Sequence, residues 1–136
     1  MEIIINYSGG VQFEVDARGH KVLCDQPLGN GGADAGMSPP EFLLASLGTC
    51  AAFYAAEYLR TRSLAADGLK VRISAEKAAG PARLSAFRIE MEVPGLADEK
   101  HQRGVLRAAK SCLIHNTLMQ PPSIDMTLST AVAVGV

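Results

Sequence analysis

Residues 42–56, FLLASLGTCAAFYAA, include no charged side chain, and apolar residues fall on every side of the helix they would form. A helix that is apolar all round has to be buried all round. One small sheet cannot wrap such a helix. The sequence therefore predicts that a second copy covers its other side, giving a homodimer with this helix at the centre. The start of the helix is written locally. Ser38 is placed as the N-cap, Pro39 and Pro40 occupy the first turn, where a missing N–H costs nothing, and Glu41 stands where a capping box requires it. The helix should run to about Arg62, with Glu57, Arg60 and Arg62 marking its emergence into water. The uncharged stretch is shorter than the roughly 18 apolar residues that a bilayer span needs, and it includes Ser46, Gly48 and Thr49. No membrane partner is expected.

The flanking segments read as strands. EIIINY and VQFEV surround SGG, and HKVLCD follows the turn DARG, which gives a three-stranded antiparallel meander. QPLGNGGADAG is a glycine-rich loop leading to Ser38. GLKVRISAEKA and LSAFRIEMEV alternate with period two around AGPAR, a second hairpin. A second long helix is expected to begin near Asp98 and to bury Val105, Leu106, Ala109, Cys112 and Leu113, with Gly104 weakening its middle. After QPPSID, MTLSTAVAV reads as a final strand. The order βββ-α-ββ-α-β places runs of two or three strands before each helix, so the fold class is α+β rather than a doubly wound parallel sheet. With 136 residues the expectation is a single domain, 1–136.

The formal net charge is −1, and lysines and arginines are scattered, so no nucleic-acid partner is expected. The N-terminus shows no basic region followed by a cleavage pattern. Three widely spaced cysteines in a chain able to build a core point away from a secreted disulfide framework and toward a cytoplasmic protein with reactive or structural thiols.

Cys50 lies within the apolar helix. Buried free cysteine often simply packs, so Cys50 is either core filling or one half of a thiol site. Cys112, in SCLIHNTL, has the same two readings. Two helices that each offer one cysteine form a more specific pattern than either alone, provided the thiols approach to disulfide distance. His115, three residues on, would share a helix face with Cys112 and could ligate a metal or tune the thiol, but a zinc site needs three or four ligands. No metal or cofactor is expected, and a hydrogen-bonded structural histidine is the simpler reading. Cys24 reads as structural, and Asp25 and Gln26 as turn residues. Nine helical residues turn through about 900° and advance roughly 13.5 Å, which puts Glu41 and Cys50 on opposite faces, so Glu41 could serve Cys50 only across a dimer.

GMSPPEFLLASLGTCAAFYAAEYLRTRSL, followed by KSCLIHNTL, resembles the OsmC/Ohr family, in particular its short OsmC-like branch. The resemblance implies an intertwined homodimer with two central helices and a thiol-dependent peroxidase that reduces organic hydroperoxides at the dimer interface. It matches Cys50 to the peroxidatic cysteine, Cys112 to the resolving cysteine and Glu41 to a glutamate of the active-site network. An external dithiol, such as a lipoyl group, would restore the thiols. The family's peroxidases also use an N-terminal arginine, and here Arg18, in the turn DARGH, is the only arginine before the central helix. The nine-residue interval from Glu41 to Cys50, and Leu113 after Cys112, depart from the family pattern. The competing expectation from another class is a non-catalytic binding protein on the same fold, holding a small apolar ligand while the cysteines pack.

Overall fold

The computed structural model describes residues 1–131. Strands β1 (Ile4–Gly9), β2 (Gln12–Ala17) and β3 (His20–Cys24) form an antiparallel sheet in that order. Its turns fix its register. Arg18 and Gly19 both take positive φ, 55° and 86°, between the paired residues Ala17 and His20. That is the two-residue hairpin geometry whose twist matches the strands. Asp16 Oδ1 accepts the Gly19 N–H at 2.8 Å and completes the turn. Both faces of this sheet are largely open to solvent, including Ile4, Ile5, Val22 and Leu23.

The loop that follows is more ordered than its glycine content suggests. Asp25, expected as a turn residue, is instead fully buried. Its carboxylate accepts from Gln12 Nε2 at 3.1 Å and from the backbone N–H groups of Gln26 (2.8 Å), Ala33 (3.1 Å) and Ala35 (2.9 Å). Ala35 is the foremost of the donors that hold its pKa below the usual carboxylate value, against the opposing effect of burial. The loop returns to β3 through a parallel bridge between Cys24 and Met37. Gly36 is required there, because a Cβ would overlap the Leu23 carbonyl oxygen.

Helix α1 (Pro39–Thr61) starts as its sequence dictates, with Ser38 as N-cap, prolines in the first turn and the Ser38 N–H donating to Glu41 Oε2 at 3.2 Å. It is long and apolar enough to cross a membrane, but Leu47, Gly48, Ala51, Ala55 and Leu59 form a stripe buried within the protein. Part of the opposite side, including Phe53, is exposed. The stripe packs on the hairpin of β4 (Lys70–Ala78) and β5 (Arg83–Glu92), whose alternating burial follows the period-two pattern. Gly48 allows the close approach, since a Cβ there would lie 3.3 Å from Ile73 Cγ2.

Helix α2 (Glu99–Lys110) is capped by Asp98, whose Oδ1 accepts the Lys100 N–H at 2.8 Å. Val105 joins Ala55 and Leu59 in the core, flanked by Leu64, Leu69, Met91 and Val93. The second helix is not continuous as expected. It ends at Lys110, and α3 (Leu113–Met119) begins after Cys112, which has extended backbone (φ −69°, ψ 147°). Leu106, within α2, and Leu113, at the start of α3, face outward, 51% and 60% exposed, whereas Val105, Ala109 and Cys112 are buried. Cys112 and His115 are therefore not neighbours on one helix face, as a continuous helix would have made them. The expected last strand, MTLSTAVAV, begins in residues 126–131, which are neither helical nor strand-paired, and the rest of it lies outside the described residues. Among the described residues the order is thus βββ-α-ββ-α-α, still α+β.

Candidate thiol site

The break between α2 and α3 determines the chemistry of Cys112. As N-cap of α3, its Sγ accepts the His115 N–H at 3.2 Å, taking the place a serine or aspartate oxygen usually fills. The residue is completely buried. α3 packs on α1, and Cys50, half-buried on α1, lies near enough to Cys112 to influence its thiol. Burial pushes the Cys112 thiol above its ordinary pKa, the neighbouring Cys50 adds to this, and the His115 N–H opposes it. Cys112 is accordingly a protonated thiol at neutral pH. The pair is asymmetric, with one thiol partly open to solvent and the other sealed. Cys24, Cys50 and Cys112 are all free.

The other residues singled out in the sequence are not gathered around this pair within one chain. Glu41 is exposed in the first turn of the same unbroken helix as Cys50, engaged in the capping box. Arg18 is exposed at the tip of the β2–β3 hairpin, and among the described residues it enters no hydrogen bond or ion pair. No group of three or more histidines, cysteines and acidic residues able to hold a metal occurs among the described residues.

One feature gave no sequence signal. A cleft of about 610 Å³ opens beside α3, walled by Leu43 and Leu47 of α1, Phe87 and Ile89 of β5, and Leu118 and Met119. Its polar lining comes from Arg83 and His115. A smaller cleft of about 150 Å³, lined by Ala51, Ile89, Met91 and Lys110, meets it at His115. The Nδ1 atom of His115 is buried without a hydrogen-bond partner among the described residues.

A long apolar helix between a meander and a hairpin, carrying one of two free cysteines that lie near each other, makes an α+β protein with a candidate two-cysteine site. The profile of the OsmC-like protein family matches residues 31–127, and the chain belongs to that family. Among solved structures, a proposed osmotic stress induced and detoxification response protein from Psychrobacter arcticus superposes with a TM-score of 0.78 at 21% identity, covering 85% of each chain. An OsmC-like protein from Mycoplasma pneumoniae gives 0.74 at 17% identity, covering 88% of this chain and 87% of that one. An organic hydroperoxide resistance protein, OsmC, from Legionella pneumophila gives 0.67 at 16% identity, covering 87% and 89%. At such identities these likenesses establish the fold. No protein of curated function matches the sequence.

Proposed function

We propose that the protein is a thiol-dependent peroxidase that reduces organic hydroperoxides. The observation that carries this reading is the asymmetry of two nearby cysteines, a half-buried Cys50 and a sealed Cys112. The Cys50 thiolate attacks one oxygen of the hydroperoxide. The O–O bond breaks, Cys50 becomes a sulfenic acid, and the alkoxide leaves as an alcohol after taking a proton. The Cys112 sulfur then displaces the sulfenic oxygen as water, forming a Cys50–Cys112 disulfide. An external dithiol, of the lipoyl type, reduces it by two exchanges and is itself oxidised to a disulfide. The name of the Legionella neighbour and the apolar surroundings of the site support an organic substrate. The proposed setting is the cytoplasm.

The working unit in this proposal is a homodimer. The exposed isoleucines of β1, together with Val22, Leu23 and Phe53, supply the apolar surface for a second copy. Glu41 and Arg18 would reach Cys50 only from that copy. Sedimentation at micromolar concentration checks this, and a monomer would remove both residues from the site. The catalytic test is consumption of cumene hydroperoxide with dihydrolipoamide. Wild type should turn over and Cys50→Ser should not, and an inert wild type in an intact dimer refutes the reading. The cleft beside α3 favours the second reading, a binding protein for a small apolar ligand. In that case neither thiol should alkylate quickly below pH 7.

A further inference from the structure

We propose that the outward face of α2 is a docking surface for an acidic protein. Lys100, Arg103, Arg107 and Lys110 recur along α2 at steps of three and four residues. At 3.6 residues per turn they fall within an arc of about 80° and along about 15 Å of the helix. All four are exposed. Arg103 is paired with Glu99 at 3.6 Å, whereas Lys100, Arg107 and Lys110 enter no ion pair among the described residues. In a chain of formal net charge −1, cations that look scattered along the sequence are gathered here into one ridge. Helix stability does not explain the ridge. Like charges three and four residues apart repel, and solubility is served equally well by mixed signs. Lys100 and Arg103, Arg103 and Arg107, and Arg107 and Lys110 are three such repulsive steps in succession. A partner that supplies the missing anions accounts for the arrangement.

The surroundings of the ridge select the class of partner. Leu106 lies on the helix surface three residues from Arg103 and four from Lys110, and it is exposed, as is Leu113 at the start of α3. Cations edged by apolar side chains match a protein surface that mixes carboxylates with apolar groups. A nucleic-acid backbone would set these leucines against a polyanion. A membrane-surface helix sinks its apolar face into lipid, but that face of α2, Val105 and Ala109, is already buried within the protein. Position ties the ridge to the thiols. Lys110, its last member, lines the smaller cleft together with Ala51 and His115. Ala51 follows Cys50 in the chain, and Cys112 lies two residues beyond Lys110. A partner seated along α2 thus ends at this cleft. Resting on the peroxidase reading, the partner is the carrier of the external dithiol, whose two thiols become a disulfide as the Cys50–Cys112 disulfide is reduced. Docking on the ridge would raise the effective concentration of that dithiol at the site.

The probe is a peptide of three Glu-Leu-Asp-Glu repeats, titrated into the reduced full-length protein at low ionic strength and followed by NMR and calorimetry. In wild type the backbone shifts should cluster on α2 and the start of α3, and added salt should weaken binding. Lys100→Gln/Arg107→Gln/Lys110→Gln should bind about tenfold more weakly. Lys70→Gln/Lys77→Gln/Arg88→Gln, which removes the same charge from exposed positions of the β4–β5 hairpin, should stay within about twofold of wild type. Equal losses in the two variants, shifts spread over the surface, or no binding by wild type overturns the proposal. So does tighter binding of α2 to phosphatidylglycerol vesicles or to a DNA duplex than to the peptide. The wild-type shifts decide the matter even if a variant does not fold. A protein inert toward hydroperoxide that still binds the peptide on α2 keeps the docking surface and loses the peroxidase reading. Turnover with dihydrolipoamide beside equal losses in the two variants does the reverse.

Discussion

Gly104 offers a test of how α2 is held against α1. Glycine in a helix interior costs about 1 kcal/mol relative to alanine, so by propensity Gly104→Ala should stabilise. The structure predicts the opposite. A Cβ at position 104 would coincide with the Tyr58 hydroxyl and Cζ and lie 2.6 Å from its Cε2. The ring cannot withdraw freely. Its hydroxyl is paired with His101 Nδ1 at 3.1 Å, and the Arg62 guanidinium stacks over it with Cζ 3.7 Å from the centroid. Overpacking of this kind, with partial loss of the hydrogen bond and the stack, costs about 2–4 kcal/mol. Against the propensity gain of about 1 kcal/mol the net loss is about 1–3 kcal/mol. With a urea slope near 1.5 kcal/mol/M, the unfolding midpoint should fall by about 0.7–2 M at fixed protein and reductant concentration. In a Tyr58→Ala background the same substitution should stabilise by about 1 kcal/mol, a reversal of sign. Stabilisation by Gly104→Ala in the wild-type background would refute the reasoning.

Two further outcomes follow from the ionisable groups. Asp25 is held below the usual carboxylate pKa, foremost by the Ala35 N–H, so the fold prefers its ionised form. Its contribution is complete above the unfolded value of about 3.9 and is lost as pH falls through the lower folded value. Asp25→Asn should therefore melt below wild type at pH 7, with the gap narrowing only below about pH 4, and a gap constant down to about pH 2.5 would contradict this. Cys112 is protonated and sealed, so iodoacetamide at about pH 8 should label Cys50 in the folded protein while Cys112 reacts only in urea. Equal labelling of both in the folded state, read by peptide mass spectrometry, would contradict the asymmetry of the pair.

The parts of the fold legible in the sequence are those whose causes are local. Ser38, the two prolines and Glu41 fix the start of α1 because a cap is made by neighbours in the chain. The β4–β5 hairpin is visible in its alternation. The break at Cys112 is not, because no proline or glycine marks it and the capping atom is a thiol. Asp25 looks like any loop aspartate until Gln12, Ala33 and Ala35 are folded around it. Of the candidate site, the two cysteines stand out by type and context. The cleft does not, because its walls come from α1, β5 and α3, distant segments that only the tertiary fold unites. His115 is noticeable in sequence only as a neighbour of Cys112. That its Nδ1 is buried without a partner among the described residues becomes visible only once the packing around it is known.

The N-terminal meander carries a consequence for how the protein is made. Synthesis proceeds at about 5–20 residues per second. β1–β3 would therefore leave the ribosome on the order of 4–16 s before Val105, about eighty residues later, can join the core. In that interval the isoleucines of β1 and the apolar side chains of β3 stand in water on a sheet whose two edge strands are open along most of their length. Lys21 lies on one of those edge strands, paired with Glu14 at 3.2 Å, and a charged side chain there discourages a stray strand from another nascent chain. The surface that a finished protein can hide is thus kept soluble, while the rest of the chain is still being added, by charges that contribute little to the final fold.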